Sequence, residues 1–118
     1  MTIESIVSSQ HNFFHTNTTK DLSFRRESLE KLLDAIEENK PAIFNALKED
    51  LGKSRQESYM TEVGLVISAL KQAISNLHKW AKPLRQKTPL THFPAKSYVL
   101  SEPYGVVLIL SPWNYPFF

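Results

Sequence analysis

Four histidines, two glutamates beside an apolar stripe and one asparagine between prolines are the side chains whose types could do chemistry here. His11 and His15 are four apart, a helical spacing, but no carboxylate follows at the zinc-protease interval, and His78 and His92 are isolated. No metal site is therefore expected. Glu57 and Glu62 flank an apolar stripe and read as solvated or capping groups, because an acid/base pair needs two carboxylates converging in a cleft. Asn114, between Pro112 and Pro116, is by residue type a turn residue. The 118 residues contain no cysteine, which excludes a disulfide, a thiolate nucleophile or a thiolate metal ligand among them.

Charge narrows the partners. Lys79, Lys82, Arg85, Lys87 and Lys96 run to Ser101 with no acid between them, a pattern that can follow phosphates. Acids elsewhere bring the net charge down to +2, so the run reads as a solvated surface and no nucleic acid is expected. No apolar stretch approaches the roughly 18 residues of a membrane span. The N-terminal MTIESIVSSQHNFFH has an early acid and no basic region before an apolar core, unlike a secretory signal. A cytoplasmic location is expected, with a membrane tail beyond residue 118 left open.

The elements that must hold these residues are mostly helical. Thr2 or Ser5 caps a first helix with Ile3, Ile6, Val7, Phe13 and Phe14 on its apolar side. Asp21 suits the N-cap of a second, striped by Leu29, Leu32, Leu33 and Ile36. Pro41 suits a first turn and predicts a new helix there, carrying Ile43, Phe44, Leu47 and Leu51 and ending at Gly52. A long helix follows from about Ser54 to Ala81, with Tyr59, Val63, Val66, Leu70, Ile74 and Leu77 on one stripe. Gly64 interrupts it at a cost of about 1 kcal/mol, a sign of close packing. Pro83, Pro89 and Pro94 mark an extended connector, and two strands are expected at Ser97–Ser101 and Gly105–Leu110.

The organisation expected is thus a helical segment over 1–81, a Pro-containing connector over 82–96, and over 97–118 a β-arm strand followed by a buried strand. Val106 to Leu110 is an unbroken apolar run, as in a strand covered on both faces of a parallel sheet. Two strands make a marginal sheet. Leaving such side chains uncovered forfeits about 1.5–3 kcal/mol each. The chain therefore reads as the front of a larger α/β protein.

SEPYGVVLILSPWNYPF resembles the opening of the cofactor domain in the aldehyde dehydrogenase superfamily, which reads E-P-x-G-V-V, an apolar strand, then P-W-N-[FY]-P. RRESLEKLLDAIEENKPAIFNALKEDLGKS and the TEVG-containing stretch from Glu57 to Trp80 are similar to the family's N-terminal helices. The short leader and the WNYPF spelling look most like the class 3, or fatty-aldehyde, branch. The resemblance implies helices plus the first strands of a Rossmann-like cofactor domain. It also implies NAD- or NADP-dependent oxidation of an aldehyde substrate to an acid through a cysteine thiohemiacetal. Asn114 matches the asparagine that donates to the oxyanion. Leu110, Ser111, Pro112 and Trp113 match the stretch beside the nicotinamide. The family's cysteine, glutamate base and phosphate-turn glycines have no match among these residues. The segment alone is thus expected to be inactive, and to need the missing remainder of the enzyme. A homodimer is implied for the complete protein. Two rival readings are a non-catalytic helical module whose strand pairs with a partner's sheet, and a nucleic-acid-binding helical domain using the basic connector.

Overall fold

A computed structural model describes residues 2–118. Thr2 and Ser5 form a reciprocal capping box at the start of α1 (Ile3–His15), each hydroxyl accepting the other's backbone N–H at 3.2 and 3.1 Å. Asn17 takes the left-handed conformation that asparagine tolerates, and a 3-10 turn over Thr18–Lys20 leads into α2 (Leu22–Leu51). Asp21 caps α2, as its residue type predicts. Its carboxylate accepts from the Ser23 hydroxyl at 2.6 Å and the Ser23 N–H at 3.1 Å.

The hydrogen bonds from the Ser23 hydroxyl and then its backbone N–H hold the Asp21 carboxyl below its ordinary value of 3.8. A folded pKa below the unfolded one means that the cap's contribution is complete above 3.8 and is lost as pH falls through the lower folded value. Amide exchange in the first turn of α2 should therefore quicken on acidification through that range. In Asp21→Asn, which still caps but cannot titrate, that acid response should disappear.

Pro41 does not start a new helix. It lies inside one uninterrupted 30-residue helix ending at Gly52. The missing N–H costs one ladder bond at Glu37, but the buried face runs straight past it through Ile36, Phe44 and Leu47. Packing against α4 (Gly64–Ala81) outweighs the local defect. Gly52, at φ 67°, closes α2 in the left-handed region, where a Cβ would be strained.

Ser54 caps the second half of the hairpin, its hydroxyl accepting from the Glu57 N–H at 3.1 Å. Helix α3 (Arg55–Ser58) passes into a π turn over Tyr59–Val63 and then into α4. The extra residue of the π turn shifts the stripe expected from sequence. Val63, Ile67 and Leu70 are buried, while Tyr59 is exposed. With Ile36, Phe44 and Leu47 they form the core, and Leu29, Leu33, Ile43, Val66 and Phe117 pack around it.

Gly64 proves to pack closely on its own π turn. Its N–H donates to the Tyr59 carbonyl, and a Cβ there would lie 2.6 Å from that oxygen and 3.1 Å from the Tyr59 ring. Gly64→Ala should lower stability by about 1–3 kcal/mol, the usual range for overpacking, although alanine is the better helix former. A higher melting temperature for this variant would show that the π turn relaxes without cost.

The connector holds a strand that the sequence reading missed. β1 (Leu84–Gln86) pairs antiparallel with β2 (Ser97–Val99), with Leu84 opposite Val99 and Gln86 opposite Ser97. The expected strand at Gly105–Leu110 is absent: the segment is unpaired and open rather than buried. Leu108, Ile109 and Leu110 are each 83% exposed. A strand exists only through a neighbour's hydrogen bonds, and this segment pairs with no other among the described residues. No helix among the described residues is long and apolar enough to cross a membrane.

Candidate functional site

The best-built polar cluster starts in the loop between α2 and α3. Lys53 sits between the left-handed Gly52 and the capping residue Ser54, so its backbone is fixed on both sides. Its side chain is only 10% exposed, and Nζ lies 2.5 Å from Oε1 of Glu62, which is 0% exposed. Burying either charge alone would cost several kcal/mol, so each requires the other. Glu62 is therefore not the solvated or capping group expected from sequence, whereas Glu57 is exposed beside the Ser54 cap. The expectation failed because Glu62 lies in the π turn, where an α-helical period places it wrongly.

This pair reaches across the molecule to the last turn of the chain. Lys53 Nζ donates to the backbone carbonyl of Asn114 at 2.7 Å, and Glu62 Oε2 accepts the Phe117 N–H at 2.8 Å. The Lys53 ammonium also lies over the Tyr115 ring, 4.1 Å from its centre. Internal bonds from Tyr115 N–H to the Pro112 carbonyl, 3.1 Å, and from Phe118 N–H to the Tyr115 carbonyl, 3.2 Å, fold the turn itself. Ser111 closes it by donating its hydroxyl to the Phe118 carbonyl at 2.9 Å. Phe117 is half-buried against the helical core.

The five residues singled out from sequence are contiguous and share this turn and its approach. Asn114 is fixed by its backbone, while its side chain is exposed and makes no hydrogen bond to another described residue. Its amide N–H groups are free to donate to an incoming atom. Leu110 and Trp113 are exposed, Trp113 at 93%, and Ser111 and Pro112 lie between them on the surface. Lys53, Glu62 and Tyr115 are the members that sequence reasoning missed. His11 and His15 stack on α1 with ring centres 6.5 Å apart and take no part.

The Trp113 indole and Leu110 are thus uncovered beside the free Asn114 amide donors. Gly52, Gly64 and Gly105 are separate in the chain, and each serves its own local geometry.

Comparison with known proteins places the chain in a family. The aldehyde dehydrogenase family model matches residues 1–118. The chain is 50% identical over 105 residues to 4,4'-diaponeurosporen-aldehyde dehydrogenase of Staphylococcus aureus, covering 89% of this chain and 23% of that protein. It is 39% identical over 115 residues to aldehyde dehydrogenase family 3 member F1 of Arabidopsis thaliana, covering 98% and 24%. A solved structure, the substrate-bound state of Staphylococcus aureus AldH, superposes with a TM-score of 0.95 at 46% identity, over 99% of this chain and 26% of that one. The chain thus spans about a quarter of the length of these relatives. The α/β reading stands, with helices and a two-stranded ribbon matching an N-terminal portion of that fold. On family match, identity and superposition alike, the chain belongs to the aldehyde dehydrogenase family.

Proposed function

We propose that these residues form the N-terminal part of an NAD(P)-dependent enzyme that oxidises aldehydes to carboxylic acids, with Asn114 as its oxyanion donor. The observation that carries the reading is the turn Pro112–Phe118, which fixes the Asn114 backbone and leaves its side-chain amide free. Family membership supplies the reaction class.

In this mechanism a cysteine thiolate outside these 118 residues adds to the aldehyde carbon, and the carbonyl oxygen takes up the negative charge. The Asn114 amide donates an N–H to that oxygen. A neutral, preorganised donor stabilises the charged species more than the aldehyde itself, which is the condition for accelerating the chemical step. Leu110, Ser111, Pro112 and Trp113 would line one side of the nicotinamide half of the cofactor, which accepts the hydride when bound. Water then releases the acid. By itself the 118-residue segment is inactive in this scheme, because it holds no thiolate.

The family reading also accounts for the exposed surfaces. The run Val106–Leu110 would become a central strand once neighbouring strands cover it. Leu84, Tyr98 and Val99 remain more than half exposed on the β1–β2 ribbon, which supports a β-arm joining two subunits of a homodimer; a cytoplasmic location is part of the same proposal. An interaction module with a pairing strand would explain the open run equally well, but it gives no role to the exposed Asn114 amide. The test is aldehyde-dependent reduction of NAD or NADP by the complete enzyme, with Asn114 and with Asn114→Ala. Absence of activity with every aldehyde tried, in a folded complete protein, would remove the reading.

A further inference from the structure

The Lys53–Glu62 pair is more expensive than a helical hairpin needs. Its carboxylate is fully buried, yet the surrounding core of Val63, Ile67, Leu70, Phe44 and Leu47 is apolar and would close well over a hydrophobic residue. What the pair has that such a residue lacks is direction. Two of the three Nζ donors are used, one N–H to Glu62 Oε1 and one to the Asn114 carbonyl, and the charge lies over the Tyr115 ring. Both oxygens of Glu62 are used as well, one by Lys53 and one by the Phe117 N–H.

The two attachments fall on either side of Tyr115, so they clamp the turn at two backbone points. Two points fix both the height of the turn over the helices and its rotation, whereas Phe117 in the core would fix only its depth. The clamped residue is Asn114 itself, held through its own carbonyl. Moving that peptide group moves the root of the side chain whose amide must meet the oxyanion.

We propose that Lys53 and Glu62 are positioning residues for the Asn114 amide, acting on the rate of the chemical step without touching substrate or cofactor. This rests on the oxyanion reading of Asn114. A charged pair suits the task because charge-assisted hydrogen bonds are shorter and about twice as strong as neutral ones, and a reacting group misplaced by about 1 Å can lose on the order of 100-fold in rate. The inference makes the loop between α2 and α3, 61 residues upstream in sequence, part of the machinery that sets turnover.

The test is a mutant cycle in the complete enzyme. Lys53→Met with Glu62→Gln removes the buried charges together, retains an oxygen for the Phe117 N–H, and deletes the donor to Asn114. Expected is a fall in kcat on the order of 10- to 100-fold with aldehyde KM little changed, and faster amide exchange at Phe117. In an Asn114→Ala background the same pair of substitutions should cost nothing further, since the group being positioned is already gone. If the double variant melts too low to assay, the reversed pair Lys53→Glu with Glu62→Lys keeps the ion pair but inverts donor and acceptor. It should show the same loss with Asn114 present and none without it.

Unchanged kcat in the folded double variant would overturn the proposal while leaving Asn114 its role. So would an equal loss in both backgrounds, which would mark the pair as structural only. Full turnover in Asn114→Ala alone would overturn the oxyanion reading, and this inference with it.

Discussion

Asn114→Ala in the complete enzyme should lower kcat by about 10²–10³-fold, equivalent to about 2.7–4 kcal/mol of barrier. Aldehyde KM should change far less, because the donor meets full negative charge only after the thiolate has added. The protein should remain as stable as before, since the Asn114 side chain is exposed and Lys53 grips its backbone, which alanine retains. Steady-state kinetics with a thermal melt on the same samples separates the two effects. A variant with unchanged turnover would strip Asn114 of its role. A variant that lost stability in parallel with turnover would point to a structural part instead.

The second large effect concerns the isolated 118-residue chain. Val107 is 64% exposed, and Leu108, Ile109 and Leu110 are 83% exposed each, in one extended unpaired segment. Each such side chain gains about 1.5–3 kcal/mol when fully buried. The backbone beside them offers free N–H and C=O groups to any strand that approaches. The isolated chain should therefore self-associate, with light scattering giving a mass well above the 13.6 kDa monomer. Val107→Lys with Ile109→Lys puts two like charges on one face of that segment and should return most of the material to monomer. Both residues lie away from the helical core, so helicity should be unchanged. A monodisperse wild-type monomer with a cooperative melt would contradict the prediction.

Much of the helical half is readable from local chemistry. Thr2, Asp21 and Ser54 cap where their hydroxyl or carboxylate can meet orphan N–H groups, and Gly52 ends a helix because a left-handed residue is required there. Pro41 misleads because its cost is local, whereas the burial that outweighs it is tertiary. Leu84-Arg85-Gln86 is not legible as a strand, since it has no apolar alternation and owes its conformation to Ser97–Val99 opposite. Gly105–Leu110 fails in the other direction. Its composition declares a strand, but a strand forms only where a neighbour pairs with it, and none does here.

The site divides along the same line. PWNYPFF is readable because its types and order are distinctive over a short span. Lys53 and Glu62 are not, because nothing in an isolated lysine or glutamate tells that it will be buried. Their pairing depends on two capped ends meeting beneath a turn 61 residues away. Phe117 lies between these cases, readable as an apolar residue but not as one seated among α2 and α4.

The single surplus residue between Tyr59 and Val63 has a bearing on any attempt to edit this hairpin. An α-helix turns about 100° per residue, so rewinding Tyr59–Val63 as plain α-helix with every residue kept would swing everything upstream by that amount against everything downstream. Either the Ser54 end or the Val63 end would have to give up its facing. The irregularity works like a keyway, letting one continuous rod present two differently clocked faces. Regularising it would leave a tidier helix with its buried acid aimed away from the lysine it was meant to meet.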